Sequence, residues 1–274
     1  MNVLQRLITG SALIALIIWV LFFAPLWVFG LVTISFTGLA LHEFFGLVEH
    51  KGIVIERWIG LGVGLLIPLS IYWQFEPTEG WELFFMVLAF LVLFILQLRR
   101  DSSQAIVGIS TTLFGIFYIS WCFSFLMKLR FINGSGVPDG RWLVALVLLV
   151  TKGGDIGAYI IGTLFGRHRF IPKISPSKTW EGAVGGLLFS LIAAVSLKPA
   201  LPSVPMGHLL ALGVLLGLLG QLGDLSESLI KRDSQVKDSG QILPGMGGIL
   251  DVIDSLLFTS PICYFYVQKF LTNG

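Results

Sequence analysis

Two groups of acidic residues near the end of the chain are spaced so that each group lies on one face of a helix. In the first group, polar side chains follow at intervals of three and four residues: Asp224, Glu227, Ser228 and Lys231. In the second group, Asp251 and Asp254 are three residues apart at the start of the next apolar segment. Two antiparallel helices would turn Asp224 toward Asp251 and Asp254, with the glycine-rich residues 243–248 between them.

These facing carboxylates predict a cation site. Carboxylates that face each other repel unless one is protonated or a cation lies between them. Because the ligands here are oxygens, with no Cys or His cluster, they favour a hard ion such as Mg²⁺, which is normally shared with substrate phosphates. There are more basic side chains nearby than are needed to neutralise these acidic side chains: Lys178, Lys231, Arg232 and Lys237. This excess suits a polyphosphate together with a phosphomonoester, whereas a plain helix hairpin would not explain two acidic faces.

Two segments upstream also carry polar residues at helix positions. Lys152 and Asp155 are three residues apart and share a helix face. They form either a buried ion pair that fixes the helix register or the polar lining of a substrate cavity. The run SPSKTWEG at residues 175–182 either caps a helix through Ser177 or Thr179 or binds an anion at the helix N-terminus.

The amino-acid composition indicates that these residues belong to a membrane protein. Of 274 residues, 55% are hydrophobic and 12% are charged, against roughly 25% charged in a soluble domain. Lipid cannot form hydrogen bonds with the backbone groups at an open sheet edge, which favours helices. A helix needs roughly 20 apolar residues to cross the hydrocarbon core of the membrane. The predicted fold class is therefore all-α, a polytopic integral membrane helical bundle of about nine transmembrane helices. The predicted spans are 7–23, 26–48, 57–74, 81–98, 104–127, 141–163, 182–199, 206–230 and 249–268.

The distribution of charges orients the chain and divides it. A net charge of +2 gives no basic field for nucleic acid. Most Lys and Arg residues fall on the side of the N-terminus, which predicts that this side faces the cytoplasm.

We expect one integrated membrane domain, in which residues 1–150 form scaffold helices and residues 151–274 carry an active site facing the cytoplasm. Glu43, which lies within an early span, is expected to reach the membrane interface.

The segment from Ser228 to Asp254 reads SLIKRDSQVKDSGQILPGMGGILDVID. It resembles the signature of the phosphatidate cytidylyltransferases (CDP-diacylglycerol synthases), S-x-apolar-K-R, four residues, K-D-x-small, then P-x-H-G-G, an apolar residue and x-D-R-apolar-D. The matching residues are Ser228, Lys231, Arg232, Lys237, Asp238, Gly240, Pro244, Gly247, Gly248, Asp251 and Asp254. The segments GDxxES, SPSKTWEG and GDIGAY are similar to the family's flanking segments, whereas residues 1–150 match only as hydrophobic spans.

The resemblance implies a nucleotidyltransferase of phospholipid biosynthesis that converts CTP and phosphatidate into CDP-diacylglycerol and pyrophosphate. It implies Asp224 and Asp251 as Mg²⁺ ligands, leaves room for a second ion, and makes Asp254 a second candidate ligand. The implied catalytic residues are Asp224, Lys231, Arg232, Lys237, Asp238, Asp251 and Asp254. The implied substrate-binding residues are Lys152, Asp155, Ser175, Ser177, Lys178, Thr179, Ser228, Gly247 and Gly248. The expected partners are CTP, phosphatidate and the membrane lipid bilayer, which is the plasma (inner) membrane if the source is a bacterium; nucleic acid is not among them, and a homodimer is left open.

Two positions depart from the signature. Met246 stands where the family has His, and Val252 stands where it has Arg. Because the paired acidic residues and the set of basic residues are intact, we expect a change in substrate preference rather than a loss of activity. The alternatives are another membrane lipid nucleotidyl- or phosphotransferase and an ion-coupled transporter, since intramembrane Asp and Lys with glycine breaks also occur in carriers. A transporter would give flux without a covalent product.

Overall fold

The computed structural model describes residues 3–74, 81–98, 104–134 and 137–272, and most of this part of the chain is helical. The helices are α1 (Val3–Phe22), α2 (Leu26–His50), α3 (Arg57–Tyr72), α4 (Trp81–Leu98), α5 (Ala105–Gly115), α6 (Cys122–Phe131), α7 (Gly140–Phe165), α8 (Trp180–Ser196), α9 (Met206–Asp233) and α10 (Ile249–Val267). Two π-helical segments, Ile116–Trp121 and Gln268–Thr272, continue α5 into α6 and extend α10. The all-α class is confirmed.

Among the described residues, six helices are long and apolar enough to cross a membrane. They are Leu26–His50, Trp81–Leu98, Ala105–Phe131, Gly140–Phe165, Met206–Asp233 and Ile249–Thr272. Shorter apolar helices at Ile8–Phe22, Arg57–Tyr72 and Trp180–Ser196 fall on the remaining predicted spans. The protein is therefore an integral membrane protein with several spans, while the count of nine stays a prediction.

The chain forms two compact units. One consists of Met1–Met127 with Asp233–Ile253, and the other of Lys128–Arg232 with Asp254–Gly274. The first unit thus combines the early helices with the loop between α9 and α10. The assignment of scaffold and active site to residues 1–150 and 151–274 stays a prediction.

In the first unit, aromatic side chains of α2 form part of the core. Phe44 and Phe45 are buried, and their ring centroids lie 5.7 Å apart in an edge-to-face arrangement. Gly115 at the end of α5 lets both rings approach its backbone, because a Cβ there would lie 2.8 Å from each ring. Ile67 and Ile116 are fully buried in a second apolar cluster of this unit. The unit therefore contains apolar packing around the aromatic rings of α2 and, separately, among α3, α4 and the π-helical segment after α5.

In the second unit, small residues let α7 and α8 approach closely. A Cβ at Gly154 would lie 2.5 Å from the Ser190 hydroxyl, which donates a hydrogen bond to the Val150 carbonyl at 2.9 Å. Close approach of backbones at glycine and serine is typical of helix pairs in membranes. Lys152 and Asp155 lie on the same stretch of α7, so this packing fixes the helix that carries them.

The segment before α8, for which the sequence predicted no strands, forms an antiparallel hairpin of β1 (Arg169–Ile171) and β2 (Ser175–Thr179). Phe170 packs edge to face on Trp180, with ring centroids 4.4 Å apart. The Thr179 hydroxyl accepts a hydrogen bond from the backbone N–H of Gly182 at 3.1 Å. The helix cap that the sequence predicted is therefore confirmed for Thr179.

Candidate active site

Three carboxylates of the second unit come together: the ligand oxygens of Asp224, Glu227 and Asp254 lie within 4.8 Å of one another. Asp224 and Glu227 are neighbours on one face of α9, and Asp254 lies on α10. The helices meet closely because residue 223 is glycine; a Cβ there would lie 2.8 Å from the Asp254 carbonyl oxygen. Glu227 is fully buried and Asp254 is 5% exposed. The cluster is thus a largely enclosed set of oxygen ligands.

Each carboxylate lies beside a different lysine. The pairs are Lys178–Asp224 at 2.7 Å, Lys152–Asp254 at 3.9 Å, and Lys231–Glu227 one turn apart on α9. An uncompensated buried charge would be costly in the membrane, so these lysines balance the negative charge of the cluster. Lys152 also pairs with Asp155, so three lysines face four carboxylates, which leaves one excess negative charge when each group carries its ordinary charge.

Lys152 has further partners on two helices. Its ammonium donates to Asp155 Oδ2 at 3.0 Å and to the Ser255 hydroxyl at 2.8 Å. The ion pair predicted from the spacing is present. Asp155 also lines a cavity, so one member of the pair belongs to a polar wall, in line with the other interpretation.

This cavity has a volume of about 370 Å³ and opens beside Asp224. Its polar lining combines hydroxyl, ammonium, amide and carboxylate groups: Asp155, Tyr159, Ser177, Lys178, Thr179, Gln221 and Asp224. A volume of this order falls within the range of ligand pockets. The cavity therefore brings the predicted Ser177, Lys178 and Thr179 together with Asp155 and one acid of the cluster.

The hairpin beside the cavity is held by charged side chains. Arg232 Nε donates to the Ile174 carbonyl oxygen at 3.2 Å. Glu181 accepts from the backbone N–H of Arg167 at 3.1 Å and of His168 at 3.2 Å, and its other oxygen lies 2.6 Å from His168 Nδ1. Arg232 thus supports the hairpin turn in this structure, and its predicted contact with phosphate stays a prediction.

The loop between α9 and α10 lies in the first unit. Asp251 Oδ2 accepts hydrogen bonds from the backbone N–H of Ser239 at 3.0 Å and of Gly248 at 2.7 Å. Gly247 has a φ of +95°, which other residues rarely adopt. Lys237 and Asp238 are exposed on the same loop. Asp251 therefore orders the loop, and its role as a metal ligand stays a prediction.

The other predicted residues have simpler surroundings. Ser175 opens β2, and Ser228 is half-buried on α9. Glu227 was placed on the polar face of α9 by its spacing but was not assigned as a ligand. That spacing was the signal for it, because residues three apart on a helix share a face.

Glu43 was expected at the membrane interface, and that expectation was wrong. Its side chain is 6% exposed, and its two oxygens accept hydrogen bonds from the backbone N–H groups of Ile249 and Leu250. The partners lie some 200 residues further along the chain, so local sequence gave no signal for this contact.

Comparisons with known proteins show which family the chain belongs to. Residues 4–270 match the sequence model of the cytidylyltransferase family. The chain belongs to this family. A phosphatidate cytidylyltransferase of Synechocystis sp. is 34% identical over 291 residues, covering 97% of each chain. A phosphatidate cytidylyltransferase of Bacillus subtilis is 32% identical over 273 residues, covering 97% of this chain and 98% of the relative. The uncharacterized protein YnbB of Escherichia coli is 34% identical over 238 residues, covering 85% of this chain and 79% of the relative.

Proposed function

We propose that this protein transfers the cytidylyl group of CTP to phosphatidate, giving CDP-diacylglycerol and pyrophosphate. Relatives named for this activity cover nearly the whole chain. The observation that carries the proposal is the cluster of three carboxylates with lysines beside it, of which Asp224 lines a ligand-sized cavity. Such a set of charges suits a substrate that brings several phosphates.

Asp224, Glu227 and Asp254 are the residues that we propose to hold Mg²⁺. Their donor atoms are all carboxylate oxygens, which is the ligand type that a hard divalent ion prefers. A bound ion would neutralise charge on the nucleotide phosphates. Asp251, the ligand that the signature implies together with Asp224, lies close in sequence to this set and stays a candidate.

The lysines of the site have a second role in this proposal. Lys178 lines the cavity, and its ammonium can turn from Asp224 to a phosphate oxygen when a cation binds the carboxylates. Ser177 and Thr179 line the same cavity with hydroxyl groups. Because Thr179 accepts from the Gly182 N–H, its own hydrogen is free to be donated to a phosphate. The chain would thus orient phosphates with side chains from β2.

The reaction needs positioning more than proton transfer. A phosphate oxygen of phosphatidate attacks the α-phosphorus of CTP, and a new P–O bond forms. The bond between the α-phosphorus and the bridging oxygen breaks, and its electron pair leaves with pyrophosphate. Since a phosphate dianion is already a nucleophile, alignment and charge neutralisation supply the catalysis.

We also propose that the site faces the cytoplasm, at the inner membrane if the source is a bacterium. The excess of Lys and Arg on the side of the N-terminus supports this orientation. CTP is water-soluble and phosphatidate is held in the bilayer, so a site at this boundary can receive both.

The test is a transfer assay with purified protein in lipid nanodiscs. Phosphatidate, MgCl₂ and each of the four ribonucleoside triphosphates, labelled at the α-phosphorus, are incubated with the protein. We expect label in lipid from CTP alone, with one pyrophosphate released for each lipid formed, and no product from folded Asp224→Asn protein. Label that stays in water with every nucleotide would contradict the proposal, as would transfer of a terminal phosphate.

A further inference from the structure

Glu43 lies on α2, far in sequence from the residues described above, yet it binds the start of α10. Oε1 accepts from the Ile249 N–H at 3.0 Å, and Oε2 accepts from the Leu250 N–H at 2.8 Å. The Ser239 hydroxyl lies 3.2 Å from the same Oε2. Hydrogen bonds from backbone N–H groups to a buried carboxylate are among the stronger ones in proteins.

The start of α10 needs this carboxylate because its own cap residue lacks a side chain. The first N–H groups of a helix have no partner within the helix, and a Ser, Thr, Asp or Asn side chain normally accepts from one of them. Here the residue before Ile249 is Gly248. Asp251 accepts from the Gly248 N–H, as the third helical residue does in a capping box. Glu43 supplies the other half of the cap from a different helix.

Two glycines of the signature leave the space that Glu43 occupies. A Cβ on Gly240 would lie 2.3 Å from Glu43 Oε1, and a Cβ on Gly248 would lie 2.4 Å from Glu43 Oε2. Both distances are well below van der Waals contact. The glycines at these positions are therefore explained by the approach of an acidic side chain from α2.

Helix α1 also contacts this loop, near its middle. The Thr9 hydroxyl on α1 donates to the Pro244 carbonyl oxygen at 2.9 Å. The loop is thus anchored at Pro244 by α1, and at Ser239 and the following Ile249 and Leu250 by Glu43. Of these anchors, Glu43 alone brings a charge and contacts the first turn of α10.

We infer that Glu43 is a positioning residue for the cytidylyl transfer: it fixes the loop of residues 239–248 and the first turn of the helix that carries Asp251 and Asp254. This inference rests on the proposed function. Asp254 follows Leu250 by about one helical turn on α10, so a shift of the first turn moves the Asp254 carboxylate. Loss of Glu43 should therefore impair turnover by molecules that are still folded.

The first experiment measures turnover per folded molecule for Glu43→Gln, Glu43→Asp and the control Glu49→Gln. The amide of Glu43→Gln keeps the shape but turns an N–H toward one of the backbone donors. We expect kcat to fall roughly tenfold to a hundredfold, as for other groups that hold ligands, with a higher Mg²⁺ concentration needed for half-maximal rate. Glu43→Asp, which keeps the charge, should recover part of kcat. Glu49 lies on the same helix as Glu43 and forms a surface ion pair with Arg57 of α3. Glu49→Gln should therefore keep the wild-type kcat and Mg²⁺ dependence.

The second experiment tests the contact without using activity. Thermal unfolding in detergent is compared for wild type, Gly240→Ala, Glu43→Ala and the double variant. The added methyl group should lower the unfolding temperature by several degrees when Glu43 is present and by much less when its carboxylate is absent. Equal effects of Gly240→Ala in both backgrounds would overturn the inference, as would an unchanged kcat and Mg²⁺ dependence in Glu43→Gln. If the protein transferred no cytidylyl group at all, this unfolding cycle would still decide whether Glu43 holds the loop.

Discussion

Replacing Glu227 by glutamine should make the protein no less stable while removing its activity. Three carboxylates within 4.8 Å of one another repel by at least about 3.5 kcal/mol for each pair at an effective dielectric constant near 20. Glu227 takes part in two of these pairs, so its neutral form relieves about 7 kcal/mol. Its ion pair with Lys231 returns about 6 kcal/mol at hydrogen-bonded contact. Without a divalent ion, the two effects nearly cancel, so Glu227→Gln should change the free energy of unfolding by no more than about 1 kcal/mol.

The same substitution should remove the effect of magnesium. A ligand at 100 times its dissociation constant stabilises a folded protein by about 2.7 kcal/mol. For a chain of this size, that corresponds to about 5 to 10 °C in the unfolding temperature. We expect wild type to show a rise of this order on adding MgCl₂ and Glu227→Gln to show much less. Its rate of CDP-diacylglycerol formation should fall at least about a hundredfold.

The assay combines thermal unfolding in EDTA and in MgCl₂ with the transfer of labelled CTP to lipid. Asp233→Asn is the matched control on the same helix, because Asp233 forms an exposed ion pair with Lys51 and its side chain is 63% exposed. An equal rise of the unfolding temperature with MgCl₂ in Glu227→Gln and wild type would refute the reasoning. A clear loss of stability of Glu227→Gln in EDTA would refute the charge balance given above.

Two further predictions concern the cavity and the start of α7. Lys178→Ala should lower kcat/KM roughly tenfold to a hundredfold, because Lys178 lines the cavity beside Asp224; Lys173→Ala, in the exposed hairpin turn, should leave it unchanged. Arg141 donates hydrogen bonds to Asp139, which caps α7, and this lowers the pKa of the Asp139 carboxyl below its ordinary 3.8. Asp139→Ala should therefore lower the free energy of unfolding by about 1 kcal/mol at pH 7. Because the charged cap is lost at low pH, the difference in unfolding temperature between this variant and wild type should shrink as the pH falls below 3.8 and through the lowered pKa. A cost that is the same at pH 3 and pH 7 would contradict the role of the charged cap, and an unchanged kcat/KM in Lys178→Ala would remove Lys178 from the site.

Much of the fold follows from hydropathy, because the membrane imposes a simple rule on the sequence. Every apolar run long enough to cross hydrocarbon became a helix, as α4 (Trp81–Leu98) shows by matching its predicted span. The hairpin of β1 and β2 was missed. Its strands are short, and they are held by Phe170 against Trp180 and by Glu181, which are contacts that no periodicity reveals.

The site was partly predictable for a similar reason. Asp224 and Glu227 share a helix face by spacing alone, and Asp254 was a second candidate beside them. Which acid of α10 would join them depends on how the helix is rotated, and the sequence does not determine that rotation. Glu43 was out of reach because its partners are backbone groups distant in sequence, and any segment offers the same backbone N–H groups.

The most direct test of the central claim is the binding of Mn²⁺, a paramagnetic substitute for Mg²⁺, measured by electron paramagnetic resonance on purified protein in nanodiscs. The claim is that Asp224, Glu227 and Asp254 together hold a divalent cation. The account predicts that wild type and Asp233→Asn bind Mn²⁺, and that Asp224→Asn, Glu227→Gln and Asp254→Asn each lose most of this binding while remaining folded. Undiminished Mn²⁺ binding by those three variants would contradict it.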